Sequence, residues 1–276
     1  MKKILIPVDF SEHSEYALQV AATLAKKHGS KLVVLHMMGL SEAVLTKDES
    51  QEMFQAIYYM KLAEKRFNAF LEKDYLKGID IQTTVQNYKE FHEIDKVARD
   101  FDADFIVMGS HGASGLKEVF VGSNTEKVVR YSALPVLVVK NKIKEFKMER
   151  VVFACDFNLD FIEPFKKAWK FFETTNTKFQ IVFINLPDKY LSTQEMEERA
   201  FQFILRTGLD TSLMNDIVYY CDYNFENGIY SFSNKVDADL IIVPTHGRRG
   251  LAHFFSENLG ESLMNHSDIP IMTFKV

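Results

Sequence analysis

The chain is poor in cysteine: Cys155 and Cys221 are the only two among 276 residues. Thiols so far apart make no disulfide framework, and neither sits in a CxxC pair or a zinc-ligand spacing. A surplus of cations is lacking too. Thirty-three lysines and arginines stand against 38 carboxylates, a net charge of −5, which disfavours a general nucleic-acid binder. Long hydrophobic runs are absent. Val33-Val34-Leu35 and Pro135 to Val139 are of strand length, well short of the roughly 20 apolar residues of a membrane helix. The opening Met1 to Asp9 is interrupted by Asp9 and lacks the roughly 7–15 apolar residues of a secretion signal; it reads as a first strand. What is there is a chain 47% hydrophobic and 26% charged. It is too apolar for disorder and long enough for one large domain or two ordinary ones. The expectation is a soluble, reduced, cytoplasmic protein with no nucleic-acid and no membrane partner.

The sequence repeats itself. Asp102 to Met108 (DADFIVM) returns as Asp237 to Val243 (DADLIIV), an offset of 135 that holds to Lys140 and Lys275 with 13 identities in 39 positions. His111-Gly112 matches His246-Gly247, Gly115-Leu116 matches Gly250-Leu251, and Pro135 matches Pro270. The starts match at an offset of 147, Lys3 to Phe10 against Arg150 to Phe157. The first half is therefore about 12 residues longer in its middle, around 38–50. A period this long is a duplicated domain, not a solenoid. Residues 1–142 and 148–276 are the expected domains, with the polar stretch Asn141 to Glu149 as linker.

Each half alternates strand and helix patterns. In the first, Lys3 to Val8, Lys31 to Met37, Ile79 to Val85, Phe105 to Met108 and Pro135 to Val139 read as strands, short and rich in β-branched residues. Ser11 is placed to cap a first helix and Gly29 to stop it. Glu49 to Tyr75, Glu90 to Asp100 and Ser123 to Tyr131 read as further helices. The second half predicts strands near 151–155, 179–184, 216–220, 240–243 and 270–274. Apolar strands alternating with helices predict, in each half, a parallel sheet covered on both faces.

After the fourth strand come Gly109 and Gly112, and nine residues later Gly122-Ser123. A glycine at a strand end lets a ligand approach the backbone, and a second permits a sharp turn. Gly122-Ser123 opens the next helix, where free N–H groups, the helix dipole and a hydroxyl favour an anion. Open α/β sheets collect ligands where strand order reverses. Asp9 ends the first strand and meets Gly109 if strands one and four are neighbours. The loop is neither a Walker A loop nor a dinucleotide fingerprint, and glycines also punctuate turns without binding anything.

With these residues in view, the chain resembles a tandem universal stress protein over nearly its whole length. Gly109, Gly112, Gly122 and Ser123 match the G-x2-G-x9-G-[ST] pattern of that family's ATP-binding subgroup. Ile6 to Ser11 resembles its first strand and turn, Leu35-His36-Met37 its second-strand end, and Pro135 to Val139 its last strand. The resemblance implies two tandem five-stranded parallel sheets flanked by helices, Rossmann-like and of the adenine nucleotide alpha hydrolase type, in strand order 3-2-1-4-5. It implies binding of ATP, or of AMP or ADP, with Mg or Mn on the phosphates. Carried over by position, the binding residues are Pro7, Val8, Asp9, Met37 beside the adenine, Met108, Gly109 and Gly112, with Gly122, Ser123 and Asn124 around the phosphates. His111 lies in the same loop, close enough to touch phosphate, though shaping the turn is the simpler role. The implied activity is nucleotide-dependent regulation in stress response, with hydrolysis slow or absent and no catalytic residue assigned. Family domains pair through their last strands, which implies an intrachain pseudo-dimer and leaves a homodimer open.

The second half departs from the pattern. Pro244 replaces Gly109, Glu257 replaces Gly122 and Asn258 replaces Ser123, while Asp156 and Gly247 persist. Proline removes an N–H, and a carboxylate at the helix start occupies the place of phosphate. This half is expected not to bind a triphosphate. Arg248-Arg249 is read as a solvated pair or a partner of Glu257, with binding of a different anion the rival. His36 is read as packed, and Cys155 as an inert buried thiol. Sixteen of the 24 phenylalanines lie at or beyond Phe146; core and interdomain packing is the expectation, an interface or an apolar ligand pocket the rival. A slow ATPase and a nucleotide-free scaffold for an unknown protein partner are the competing functions.

Overall fold

The computed structural model describes residues 1–39, 49–88, 94–110, 123–173, 175–245 and 269–276. The chain divides into two compact units, Met1–Phe146 and Lys147–Val276. Unit one runs β1 (Lys3–Val8), α1 (Glu12–His28), β2 (Lys31–Gly39), α2 (Glu49–Leu71), β3 (Ile81–Tyr88), α3 (Ile94–Asp100), β4 (Phe105–Gly109), α4 (Ser123–Tyr131) and β5 (Val136–Val139). Its strands lie in the order β3-β2-β1-β4-β5, all paired in parallel. Unit two runs β6 (Arg150–Ala154), α5 (Ile162–Phe172), β7 (Lys178–Asn185), α6 (Thr193–Thr207), β8 (Ile217–Cys221), α7 (Phe225–Lys235), β9 (Leu240–Thr245) and β10 (Ile271–Lys275). Its order, β8-β7-β6-β9-β10, is the same 3-2-1-4-5 topology.

The central strands are buried on both faces, as their unbroken apolar runs require. All five residues of β4 and all six of β9 are buried. β3, with its glutamines and threonines, sits at the sheet edge. α1 is capped by Ser11, whose hydroxyl accepts from Ser14 N–H, and ends on Gly29 at φ +65°, a conformation that suits glycine. Its buried stripe of Ala17, Ala21 and Ala25 brings the helix close to the sheet. The long second helix ends at Leu71 and not at Tyr75. Lys73 is extended, and the turn at Asp74–Leu76 drives Leu76 into the core. The third helix is described from Ile94; residues 89–93 lie outside the described set. Among the described residues no helix is long and apolar enough to cross a membrane.

The duplication extends to irregular backbone. Phe10 and Phe157, 147 residues apart, hold φ of +64° and +56°, rare for a bulky residue. Each is held by its ring. Phe10 packs 4.5 Å from His36 and 5.3 Å from Phe67. Phe157 stacks 5.7 Å from Phe183 and lies 5.5 Å from Phe203. Asp102 and Asp237 are likewise left-handed, at +51° and +49°. The carboxylate that follows each staples the first strand. Asp104 Oδ2 accepts the Lys2 and Lys3 amides, and Asp239 Oδ2 those of Glu149 and Arg150. Part of the phenylalanine excess of unit two is core: Phe153, Phe165, Phe179 and Phe203 contact one another edge-on or tilted, whereas Phe201 is exposed and Phe254-Phe255 lies outside the described residues.

Candidate functional site

In unit one the strand order reverses between β1 and β4, the place where an open α/β sheet forms a crevice at its carboxyl edge. β1 stays paired with β2 as far as Val8 and His36, but with β4 only at Ile4–Phe105 and Leu5–Ile106. Proline explains the early end. Asp104 N–H bonds Lys3 O, so the odd-numbered groups of β1 face β4. Pro7 is one of them and has no N–H to give. Among the described residues the register between the two strands ends at Leu5–Ile106.

Across that gap lies Gly109. Ile106 N–H bonds Pro135 O and Ser110 N–H bonds Val139 O, so the alternate groups of β4, Gly109 N–H included, face β1. The absence of a side chain here has a definite cause. A Cβ on Gly109 would stand 2.6 Å from the His13 carbonyl oxygen, in the first turn of α1. The glycine serves close packing of α1 as well as access to its own backbone. Thr125, in the first turn of α4, is buried and donates its hydroxyl to Gly109 O at 2.8 Å. That bond fixes the amino end of α4 against the carboxyl end of β4. A helix amino end carries unpaired N–H groups and partial positive charge.

Asp9 closes β1. Its Oδ1 accepts from Ser11 N–H at 3.1 Å and from the Ser14 hydroxyl, and its own N–H bonds Ser14 Oγ at 3.1 Å. The carboxylate thus holds the β1–α1 turn. His36, three residues before the end of β2, bonds Val8 O through Nδ1 at 2.8 Å. A carbonyl only accepts, so Nδ1 carries the proton. Together with the Phe10 contact this makes His36 a packed ring. Met37 follows it, half-buried.

The structure thus brings Pro7, Val8, Asp9, Met37, Met108 and Gly109 to the carboxyl ends of adjacent strands, with the α4 amino end held against Gly109. Asn124 is exposed on the first turn of α4, and Ser123 is that helix's first residue. His111, Gly112 and Gly122 lie outside the described residues, as do His246 to Leu251, Glu257 and Asn258. Sequence reasoning passed over His13, Ser14 and Thr125. A threonine directly after the Gly-Ser-Asn of the motif was the available signal for the last. Among the described residues no three His, Cys, Asp or Glu side chains gather as a metal site.

Unit two arranges the same strands differently. Ala154 stands where unit one has Pro7, and Pro244 where it has Gly109. Ile241 N–H bonds Pro270 O, so position 244 faces β6. The proline has moved across the gap. The N–H that Gly109 presents has no counterpart there. The α5 helix also begins at Ile162, after a tight turn at Leu159–Phe161, whereas α1 starts at Glu12, the position matching Leu159. Asn185 clamps the chain after β7, its amide bonding Leu191 O at 2.9 Å and Leu191 N–H at 3.0 Å. Cys155 lies one residue past β6, fully buried, and burial pushes its thiol pKa well above the usual range.

Comparison with known proteins gives one consistent result. A model of the universal stress protein family matches residues 1–140 and 226–275, which is 190 of the 276 residues. Universal stress protein MJ0577 of Methanocaldococcus jannaschii is 34% identical over 155 residues, covering 51% of this chain and 96% of the relative. Universal stress protein YxiE of Bacillus subtilis is 33% identical over 146 residues, 50% of this chain and 98% of its own length. A universal stress protein structure from Archaeoglobus fulgidus superimposes with a TM-score of 0.60 at 20% identity, over 99% of this chain and 96% of that one. At that identity the likeness is one of fold.

Proposed function

The chain belongs to the universal stress protein family, and from that premise and the crevice of unit one we propose that it is a tandem member binding one adenine nucleotide, ATP by preference, between β1 and β4. The observation that carries this reading is the exchange of prolines. Pro7 unpairs β1 from β4 while Gly109 keeps its N–H on the gap; Ala154 and Pro244 reverse the arrangement in unit two. The α4 amino end, held on Gly109 by Thr125, supports a phosphate position. Gly112, Gly122, Ser123 and Asn124 would complete the cradle, and Met37 would flank the base. A divalent cation would come with the phosphates. The role is regulatory binding and not turnover, with unit two a partner domain lacking its own site.

The test is to denature the purified protein, identify released nucleotide by chromatography, and titrate the emptied protein with Mg-ATP beside a Gly122→Glu variant. Adenine nucleotide near one per chain, lost in the variant, is expected. Absence of both released nucleotide and Mg-ATP binding overturns the reading.

A further inference from the structure

A second feature lies at the opposite, amino edge of the unit-two sheet. A cavity of about 430 Å³ is lined by Arg150 and Val152 of β6, Lys178 and Gln180 of β7, and Lys235 and Asp237 at the end of α7. The sheet register explains its floor: Arg150 pairs beside Lys178 and Val152 beside Gln180, so these four side chains share one face. Two cations on adjacent strands at the same level repel each other. A third, Lys235, comes from the helix end, where its ammonium also lies 5.9 Å from the Tyr220 ring.

Unit one shows what a self-compensated version of this corner looks like. The matching residues are Lys3, Lys31, Asp100 and Asp102, two cations and two carboxylates. Lys3 pairs with Asp102 at 3.5 Å, and Lys31 with Asp80 at 3.5 Å. In unit two Lys235 replaces Asp100, and Thr211–Asp216 ahead of β8 forms a tight turn instead of extending the ladder beside Lys178. Arg150 keeps its pairing, to Asp237 at 3.2 Å and to Val236 O at 3.2 Å. Among the described residues no carboxylate lies within ion-pair distance of Lys178. The duplicated corner has thus exchanged a balanced surface for three cations around one carboxylate, in a concavity of ligand size.

We propose that this cavity binds a small phosphomonoester, its dianionic phosphate held between Lys178, Lys235 and the outer edge of the Arg150 guanidinium, with the Gln180 amide meeting a hydroxyl of the ester. The volume leaves room for the organic part of an ester beside the phosphate. The site is separate from the β1–β4 crevice and does not rest on the nucleotide reading.

The experiment uses the full-length chain at low ionic strength, with ribose 5-phosphate and inorganic phosphate as probes in calorimetric titrations. Saturable one-site binding of ribose 5-phosphate is expected, at least tenfold tighter than inorganic phosphate. Lys235→Asp, which restores the unit-one residue, and Lys178→Met should each weaken it tenfold or more. Gly122→Glu and Lys167→Ala, a lysine on α5 outside the cavity lining, should leave it unchanged. Unaltered circular dichroism of the two cavity variants separates loss of the site from loss of the fold. No saturable binding, equal affinity for the two probes, or loss in Gly122→Glu or Lys167→Ala overturns the proposal.

Discussion

Gly109 illustrates how one residue answers to two demands. The His13 carbonyl oxygen lies 2.6 Å from where a Cβ would stand, closer than any unstrained contact, and the obstacle is backbone with no rotamer to yield. Gly109→Ala must therefore displace the first turn of α1, which the Asp9–Ser11–Ser14 bonds hold in place. Overpacking of this kind costs about 1–3 kcal/mol. Urea unfolding should show a lower midpoint at an unchanged slope; an unaltered midpoint would mean that α1 gives way freely. Reading the sequence, the glycine looked like an opening for a ligand. The structure adds that a helix already fills one side of it, a demand set by the path of residues nearly a hundred positions earlier, where local pattern carries no trace.

At the scale of elements, most of what formed was written in local chemistry. Ser11 and Gly29 bound α1, and Ser192 with Glu195 makes a capping box at the start of α6. Glu195 takes the Ser192 N–H at 2.8 Å and the Ser192 hydroxyl at 2.7 Å, and these bonds hold its carboxyl below the usual carboxylate range. A carboxylate whose pKa is depressed on folding adds stability above its unfolded pKa, and that contribution fades as pH falls through the folded value. The amino turn of α6 should lose amide protection in acid, below the ordinary glutamate pKa. Glu195→Gln keeps an acceptor but no titration, so its α6 protection should vary less with pH; hydrogen exchange across that range decides. What local chemistry did not reveal was where elements give way to tertiary demand. α2 stops at Leu71 because Leu76 is needed in the core, and β3 runs on to Tyr88 through parallel pairing with β2, which no window of sequence displays.

The whole molecule is a duplication whose copies have drifted apart at the carboxyl ends of their sheets while keeping their frame. The offsets of 135 and 147 in the sequence reappear as matched left-handed phenylalanines and aspartates and as matched staples by Asp104 and Asp239. Alternation made a parallel sheet legible and right-handed crossovers narrowed its topology, but the order 3-2-1-4-5 came from the family resemblance. The sequence already showed Pro244 removing an N–H and Glu257 bringing a carboxylate to the helix start; that Pro7 and Pro244 sit on opposite sides of the matching gap requires the ladder. This bears on what would rebuild a second site. If Glu257 alone excluded nucleotide, by placing a carboxylate where phosphate belongs, Glu257→Gly should raise the stoichiometry toward two per chain. Our reading assigns the exclusion to Pro244 as well, since the strand-end N–H is missing whatever the loop contains. On that reading Glu257→Gly still binds one Mg-ATP per chain in a calorimetric titration, with an unchanged gain in thermal stability. That gain corresponds to about 2.7 kcal/mol at ligand one hundred times its Kd. Two sites in Glu257→Gly would show the strand donor to be dispensable, and would move the origin of the asymmetry from the sheet to the loop.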